Sequence, residues 1–338
     1  MSKKFTYKAS GVDIKAGNHF VTSIDKLIEQ TRRSEVLDRI GGFGGLFQPD
    51  FSPYKKPVLV SSVDGVGTKL KVAFRTGIYH TLGQDLVNHC VNDIAVSGAD
   101  PLFFMDYFAT GKLEKKVAFE VVRGFTIACR ENGCALLGGE TAEMPDIYAE
   151  GEFDLAGTIV GVVDRDQILD GSTITREDRL YGITGNGLHT NGYSLARKVL
   201  FSRYEPHETV SGLQDTLGKE LLKIHPSYLA FIQATRSRPG VKAFAHITGG
   251  GIIGNTRRVI PEGFKPVIDW NSWPIPPIFT LIRDCGNVPE EDMRQTFNLG
   301  IGLVAVARPE EGEMLAEAAR KSGFWLYEIG SIGEKKEM

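Results

Sequence analysis

Short apolar stretches of strand length alternate with stretches of helical spacing along this 338-residue chain. In the first half, the pattern predicts strands at residues 57–63, 101–109, 134–137 and 156–163, and helices at 81–97 and 114–132. After the polar stretch 164–178, it predicts strands at 179–184, 265–269, 299–307 and 325–329, and helices at 194–201, 217–224, 226–235 and 310–322. We therefore expect a mixed α/β protein of the α+β class, with an N-terminal domain at residues 1–165 and a C-terminal α+β domain at 175–338.

Charge and apolar content exclude several functional classes. Lys+Arg 39 against Asp+Glu 42 gives a formal net charge of -3, so the chain lacks the basic surplus of a general nucleic-acid binder. No apolar run approaches the roughly 18 residues that span a bilayer, and the start Met1–Phe5 has no apolar segment behind its charges. Four cysteines without a CxxC pair indicate reduced thiols, and we expect a cytoplasmic protein without nucleic-acid or membrane partners.

Glycine is enriched, at 39 of 338 residues or about 11.5%, against roughly 7% in average proteins. The most informative glycine turn follows the first predicted strand and reads Asp64-Gly65-Val66-Gly67-Thr68-Lys69. Its glycines allow backbone N–H groups to face an anion, Lys69 adds a positive charge, and Asp64 offers an oxygen to a hard cation such as Mg²⁺. A plain turn with solvated Asp and Lys side chains is the alternative.

Two further acidic positions occur beside predicted core elements. Asn88, Asn92 and Asp93 share one region of the helix at 81–97, which indicates either a polar site or a solvated face, and the adjacent His89 is interpreted as a packed or hydrogen-bonded histidine. The strand at 134–137 leads into Gly138-Gly139-Glu140. A carboxylate at the end of an apolar strand needs a cation or donors, so Asp64, Asp93 and Glu140 together indicate a Mg²⁺–triphosphate site.

Two glycine loops in the second half are candidates for another ligand. Residues 185–194 contain His189, Thr190 and Asn191 ahead of a predicted helix, and residues 246–251 end in Thr248 and three glycines. Such loops bind phosphate or carboxylate groups, although each is equally compatible with a structural turn.

Taken together, these motifs resemble the phosphoribosylformylglycinamidine cyclo-ligase (AIR synthetase) family. The matching segments fall in family order and cover almost the whole chain: residues 11–14 with 16–18, 41–45, 64–70, 92–93, 101–107, 138–145, 189–195, 248–251 and 296–298. Gly-Gly-Glu-Thr-Ala-Glu-Met-Pro and His-Thr-Asn-Gly-Tyr-Ser-Leu are specific to this family, whereas the Asp64–Lys69, Asn92-Asp93 and Gly138–Glu140 motifs also resemble a wider superfamily. Lys15 departs from the pattern, because the family often has an acid there.

The resemblance implies an ATP-dependent ring closure of formylglycinamidine ribonucleotide to aminoimidazole ribonucleotide, through an iminophosphate, with release of ADP and phosphate. It implies that Asp64, Asp93 and Glu140 hold Mg²⁺, that His189, Lys69 and Asp64 are catalytic, and that the N-terminal domain pairs its sheet with a second subunit into a shared barrel. The implied ATP-binding residues are Lys26, Gly44, Gly45, Asp64, Gly65, Gly67, Thr68, Lys69, Asn92, Asp93, Gly139 and Glu140. The implied substrate-binding residues are His189, Thr190, Asn191, Thr248, Gly249, Gly250 and Gly251.

Two alternative functions remain open at this point. One is another small-molecule phosphoryl-transfer enzyme of the same superfamily, which would share the ATP site and differ in the second-half loops. The other is a non-catalytic nucleotide-binding regulatory protein, which the presence of Lys69 and of all three carboxylates disfavours.

Overall fold

The computed structural model describes residues 14–38 and 42–335. Its first part contains a four-stranded sheet and the helices beside it: α1 Ile14–Ile28, β1 Pro57–Gly65, α2 Leu70–Thr76, α3 His80–Ala95, β2 Asp100–Thr110, α4 Lys115–Glu131, β3 Ala135–Glu143 and β4 Phe153–Asp164. The strand order is β1-β4-β2-β3, with β2 and β3 parallel and the other neighbours antiparallel.

The second part contains a five-stranded antiparallel sheet in the order β6-β8-β5-β9-β7. Its elements are β5 Arg179–Thr184, α5 Tyr193–Leu200, α6 Leu217–Leu221, α7 Leu229–Thr235, β6 Val241–His246, α8 Gly251–Thr256, β7 Phe264–Ile268, α9 Pro277–Gly286, α10 Glu290–Thr296, β8 Ile301–Ala307, α11 Gly312–Lys321 and β9 Leu326–Glu334. Strand β8 is buried along its whole length, as its uninterrupted apolar sequence requires.

Helix α3 lies at the centre of the molecule and is buried on nearly all sides. One side packs on the first sheet and another on α4, where Gly83 and Gly124 leave room for the two backbones to approach each other. A side chain at either glycine would clash with the facing helix, which explains part of the glycine enrichment. A continuous hydrophobic core joins residues of both parts, including Leu86 of α3 and Phe231 of α7.

The two faces of the first sheet differ. Phe104 and Ile159 point toward α3 and α4 and are buried, whereas Leu59, Val63 and Met105 on the opposite face are exposed. Because side chains alternate along a strand, this open apolar face is a property of the whole sheet and not of one residue. No helix among the described residues has the length and apolar character needed to cross a membrane.

Most predicted elements are confirmed, with shifts of a few residues at their ends. The strand predicted at 134–137 continues to Glu143, and the helix predicted at 217–224 stops at Leu221. Helices α1, α2, α9 and α10 had no counterpart in the prediction. The mixed α+β class is confirmed, while the domain limits 1–165 and 175–338 and the cytoplasmic location stay predictions. All four cysteines are free, as predicted, and three of them are buried.

Candidate active site between the two sheets

Two carboxylates, Asp64 at the end of β1 and Asp93 in the last turn of α3, lie at the junction of the two parts of the molecule. Their side chains are 41% and 28% exposed, so both can be reached from solvent. His89, one turn before Asp93, places its Nε2 2.8 Å from Asp64 Oδ2 and 3.8 Å from Asp93 Oδ2. From the second part, His246 at the end of β6 places its Nδ1 2.8 Å from Asp93 Oδ1.

These contacts keep both carboxylates ionised. Burial opposes ionisation of Asp64, but the hydrogen bond and charge of His89 outweigh it and lower the pKa of the carboxyl group. Burial likewise opposes ionisation of Asp93, and His246, with further help from His89 and Ser62, lowers its pKa. Two ionised carboxylates open to solvent fit a hard divalent cation such as Mg²⁺.

Glu140 does not join this pair within one chain. The register places Asp64, Gly157, Asp106 and Gly139 side by side across the four strands, so they belong to one face of the sheet. Glu140 is the next residue along β3 and therefore belongs to the opposite, open face, where it is exposed. Three strand spacings, about 14 Å along the sheet, also separate its strand from Asp64. One ion cannot bind Asp64, Asp93 and Glu140 of the same chain.

Lys69 and Asn92 were expected at the nucleotide, but here both hold the two parts of the chain together. The Lys69 ammonium lies 2.7 Å from Asp85 Oδ2 and donates to the carbonyl of Lys223, and both partners of the ion pair are fully buried. Asn92 donates to the carbonyl of Pro226 and accepts the backbone N–H of Tyr228. In this conformation no phosphate can reach either side chain.

The turn after β1 leaves other groups accessible. Thr68 is exposed, and its Oγ1 lies 3.1 Å from Ser194 Oγ across the junction. Gly67 has a φ of 66°, a conformation that favours glycine, and nothing crowds the position its side chain would occupy. Beside Gly65, the backbone of β4 comes close, with Leu155 O within 3.1 Å of where a Cβ would be. This turn can therefore present backbone N–H groups and the Thr68 hydroxyl to an anion.

His189 is enclosed. It is 1% exposed and has a φ of 61°, and neither ring nitrogen has a hydrogen-bond partner among residues 14–38 and 42–335. Its ring stacks on His225 at a centroid distance of 4.2 Å and packs closely against Gly185 and Gly302. Burial, reinforced by the charges of His246 and Lys69, holds the pKa of His189 well below its usual range. A substrate can reach this ring only after the surrounding loops move.

The two predicted substrate loops of the second part lie side by side. The position of a Cβ on Gly249 would be 3.2 Å from Asn191 Oδ1. Asn255 donates to the carbonyls of Thr248, Gly249 and Gly251 and so fixes the shape of the second loop. Thr190 reaches back to the first part, with its Oγ1 2.7 Å from His89 Nδ1. The loops thus border the carboxylate pair.

The N-terminal candidates are further from these groups. Lys26 lies exposed in the last turn of α1, and Gly44 and Gly45 are exposed in a segment over β3, where a side chain at Gly45 would clash with Leu137. No contact of these three residues with Asp64 or Asp93 is seen among the described residues, and their role in ATP binding stays a prediction. Gly41 and the resemblance motif at 11–13 lie outside the described residues.

Sequence reasoning missed three groups at this site. His225 has its Nε2 2.9 Å from His246 Nε2, and burial holds its pKa well below the usual range. Asp85 accepts a hydrogen bond from the backbone N–H of His225.

The third missed group is Asp106, which faces the same side of the sheet as Asp64. Burial, with the charge of Glu140, raises the pKa of Asp106 to about 7. Asp106 stands within the matched segment 101–107, so that signal was available, whereas nothing in the local sequence distinguishes His225.

Comparison with known proteins identifies relatives over the whole chain. Two family models match it, the N-terminal domain of AIR synthase related proteins at residues 51–163 and the C-terminal domain at 175–338. A phosphoribosylformylglycinamidine cyclo-ligase of Syntrophotalea carbinolica is 51% identical, covering 99% of this chain and 97% of the relative. One of Anaeromyxobacter dehalogenans is 50% identical, covering 97% and 95%.

Solved structures with the same fold are more distant in sequence. Thiamine-monophosphate kinase from Stenotrophomonas maltophilia superposes with a TM-score of 0.71 at 20% identity, covering 93% of each chain. The hydrogenase maturation protein HypE in complex with ATP gives a TM-score of 0.69 at 15% identity, covering 96% of this chain and 89% of the other. At these identities the likeness establishes the fold alone.

Proposed function

This chain belongs to the AIR synthase related family, and we propose that it catalyses the ATP-dependent ring closure of formylglycinamidine ribonucleotide to aminoimidazole ribonucleotide in purine biosynthesis. The observation that carries the proposal is its identity of about half to cyclo-ligases over nearly the full length of both chains. The wider phosphoryl-transfer alternative and the regulatory alternative are not favoured, because the similarity extends through the second-half loops that would differ between them.

The chemical difficulty of the reaction is the formyl oxygen, which is a poor leaving group. Transfer of the ATP γ-phosphoryl group to that oxygen releases ADP, and loss of the adjacent amide N–H proton gives an iminophosphate. The neighbouring nitrogen then attacks the formyl carbon, the carbon–oxygen bond breaks, and phosphate leaves together with one proton from the attacking nitrogen. Catalysis of such a reaction depends mainly on positioning the reacting groups and on neutralising the charge of the phosphates.

We assign Mg²⁺ to Asp64 and Asp93, since both are ionised and open to solvent. When bound, the ion would neutralise charge on the ATP phosphates. The Gly65–Thr68 turn would donate backbone N–H groups and the Thr68 hydroxyl to phosphate oxygens. Gly139 and Glu140 lie away from this pair, Gly139 on the same face of the sheet as Asp64 and Glu140 on the open face, and would contribute from there.

On the other side of the junction, Thr190, Asn191 and the loop at 248–251 would bind the ribonucleotide. Asn191 is partly exposed, and Gly249 and Gly250 are exposed beside it, so their polar groups are available to a ligand. His189 would act only after the loops open, as a neutral imidazole. Lys69 would act through the fold, by fixing the second part of the chain against α3.

We also propose that the chain is a homodimer, joined through the open face of the first sheet. Leu59 and Val63 on β1 are 59% and 68% exposed, an unusual exposure for apolar strand residues. A shared barrel would cover them and would bring the open-face Glu140 of one subunit near the other subunit. In that arrangement Glu140 would be able to take part in binding Mg²⁺, which the geometry of a single chain rules out.

The function is tested by a comparison of phosphoryl acceptors. Phosphate release from ATP and Mg²⁺ should depend on formylglycinamidine ribonucleotide and should stay at background with thiamine monophosphate. Thiamine monophosphate serves as the acceptor control because a kinase named for it shares the fold. Turnover of the control at the higher rate would favour the wider phosphoryl-transfer alternative, and turnover of neither would reject the proposed reaction.

A further inference from the structure

Two buried histidines converge on one carboxylate at the junction. One ligand atom each from His89, Asp93 and His246 lies within 4.8 Å of the other two. His246 Nδ1 is 2.8 Å from Asp93 Oδ1, and His89 Nε2 is 3.8 Å from Asp93 Oδ2. A pair of histidines with one carboxylate is a common ligand set for transition metals, whereas Mg²⁺ is bound mainly by oxygen atoms.

The outer ring nitrogens of both histidines are already held in place. His89 Nδ1 lies 2.7 Å from Thr190 Oγ1, and His246 Nε2 lies 2.9 Å from His225 Nε2. With a metal on the inner nitrogen, each neutral ring carries its proton on the outer one and donates it to the group already facing it. Histidine ligands of metal sites are oriented in this way. A bound metal would thus leave both outer hydrogen bonds intact.

The spacing of the donor atoms suits a transition metal. Ligand bonds of about 2.0–2.2 Å place neighbouring donors roughly 3–3.5 Å apart. His246 Nδ1 lies 2.8 Å from Asp93 Oδ1, and His89 Nε2 lies 3.8 Å from the other carboxylate oxygen, Oδ2. Binding one ion therefore requires the three donors, now within 4.8 Å of one another, to draw slightly closer together. Asp64 Oδ2 lies 2.8 Å from His89 Nε2 and is close enough to serve as a further oxygen ligand. The histidine rings are buried, while the two carboxylates are partly exposed and give an ion a route from solvent.

We propose that His89, Asp93 and His246 form a site for a divalent transition metal of the zinc class, distinct in its donors from the Mg²⁺ assignment. Imidazole nitrogens favour Zn²⁺, Co²⁺ and Ni²⁺ over Mg²⁺. Because Asp93 serves both ligand sets, the transition metal and Mg²⁺–nucleotide compete for it. This competition, but not the metal site itself, rests on the proposed function.

The test is a titration of the full-length chain, without an affinity tag and freed of metal by a chelator, with Co²⁺ followed by visible absorption. Wild type should bind one equivalent with a saturable band. His246→Gln and His89→Gln should each weaken Co²⁺ binding about tenfold or more. His207→Gln, at an exposed histidine away from the site, is the matched control and should bind like wild type.

Absence of a saturable band in wild type, or equal Co²⁺ affinity in wild type and in both folded variants, would overturn the site. Thermal melts of the metal-free variants establish that they are folded. If neither variant folds, Zn²⁺ must raise the melting temperature of wild type, and a wild-type melt unchanged by Zn²⁺ overturns the site as well.

A second arm separates this proposal from the proposed function. Adding Mg²⁺ with a non-hydrolysable ATP analogue should raise the apparent Kd for Co²⁺. An unchanged Kd would contradict the assignment of Asp93 to the nucleotide and leave the metal site standing. Ring closure measured with Mg²⁺ alone reports on the function without any transition metal.

Discussion

His189 combines a backbone conformation that non-glycine residues rarely adopt with two buried ring nitrogens that have no hydrogen-bond partner in the described part of the chain. Each of these features costs free energy, and such features concentrate at functional sites. The same burial makes the imidazole neutral over the physiological pH range. His225, stacked on it, is also held neutral by burial.

These two rings give the stability of the chain a predictable pH dependence. In the unfolded chain both histidines take up a proton near pH 6.5, whereas in the folded chain they do so only well below that value. The unfolded state therefore binds more protons as the pH falls from about 6.5. The free energy of unfolding should decrease over that range by about 1.4 kcal/mol per pH unit for each buried neutral histidine.

His189→Asn removes one of these protonation sites and keeps a residue that tolerates a positive φ. Urea unfolding between pH 6.5 and 5 should show a shallower loss of stability in this variant than in wild type. His207→Asn, at an exposed histidine, should retain the wild-type slope. Parallel slopes for wild type and His189→Asn would contradict the buried, neutral state of His189.

The two carboxylates and Glu140 should respond differently to removal of their charge. Asp93→Asn should lower kcat/KM about a thousandfold, since a metal ligand at the phosphates supplies several kcal/mol to the transition state. Glu140→Gln should have a smaller effect, because within its own chain Glu140 faces away from the pair and would act on an ion only across the proposed subunit interface. Steady-state kinetics with thermal melts as a folding check make the comparison. Full activity of a folded Asp93→Asn variant would refute the metal assignment.

At the scale of elements, α3 joins the two parts of the molecule through its polar side chains. Asp85 pairs with Lys69 and binds the backbone of His225, and Asn88 donates to the carbonyl of the same residue. Asn92, one turn further, holds Pro226 and Tyr228. The chain from Lys223 to Tyr228 is thus fixed along one side of a helix that is otherwise apolar.

Removing one partner of the buried Lys69–Asp85 pair should be costly. Lys69→Met leaves Asp85 buried and unpaired, and we expect a loss of about 3–5 kcal/mol in the free energy of unfolding. The double variant Lys69→Met/Asp85→Asn keeps an oxygen acceptor for the His225 N–H and should recover most of that loss. Urea denaturation measures both values.

The same double variant decides what Lys69 does. If the lysine acts through the fold, ATP affinity measured by calorimetry should stay within about threefold of wild type, well under the 1.4 kcal/mol that a tenfold change represents. If a stable double variant no longer binds ATP, Lys69 contacts the phosphates, as the sequence alone indicated.

Helix α3 also illustrates what the sequence could predict. Its existence and position follow from apolar spacing, and so do most strands of both sheets. The burial of Asn88 and Asn92 could not be predicted from the sequence, because a solvated helix face and a face buried against distant polar groups have the same residue pattern. They are 5% and 0% exposed, which rules out the solvated alternative. The backbone carbonyls to which they donate lie more than 130 residues away along the chain.

The sequence predicted the candidate site to about the same extent as it predicted helix α3. Asp64, Asp93 and the second-half loops do border one junction, since each stands next to a glycine turn or an element end. The separation of Glu140 from Asp64 depends on the strand order and on which face a residue occupies, and neither can be deduced from local spacing. The histidine cluster depends on the docking of the two sheets and gave no local signal.

At the scale of the whole molecule, the proposed dimer depends on the open face of the first sheet. Val63→Glu places a charge on that apolar face, at its β1 edge, and should convert dimers to monomers in sedimentation experiments. Val267→Glu, at an exposed valine on the edge strand β7 of the second sheet, is the matched control and should stay dimeric. A monomeric wild type, or a dimeric Val63→Glu variant, would contradict the shared-sheet assembly.

The measurement that tests the central claim most directly follows both products in one tube. Purified chain, ATP, Mg²⁺ and formylglycinamidine ribonucleotide are incubated, and phosphate and aminoimidazole ribonucleotide are quantified over time. The account predicts equal amounts of the two at every point and neither above background without the ribonucleotide. Phosphate released without the imidazole product would contradict it.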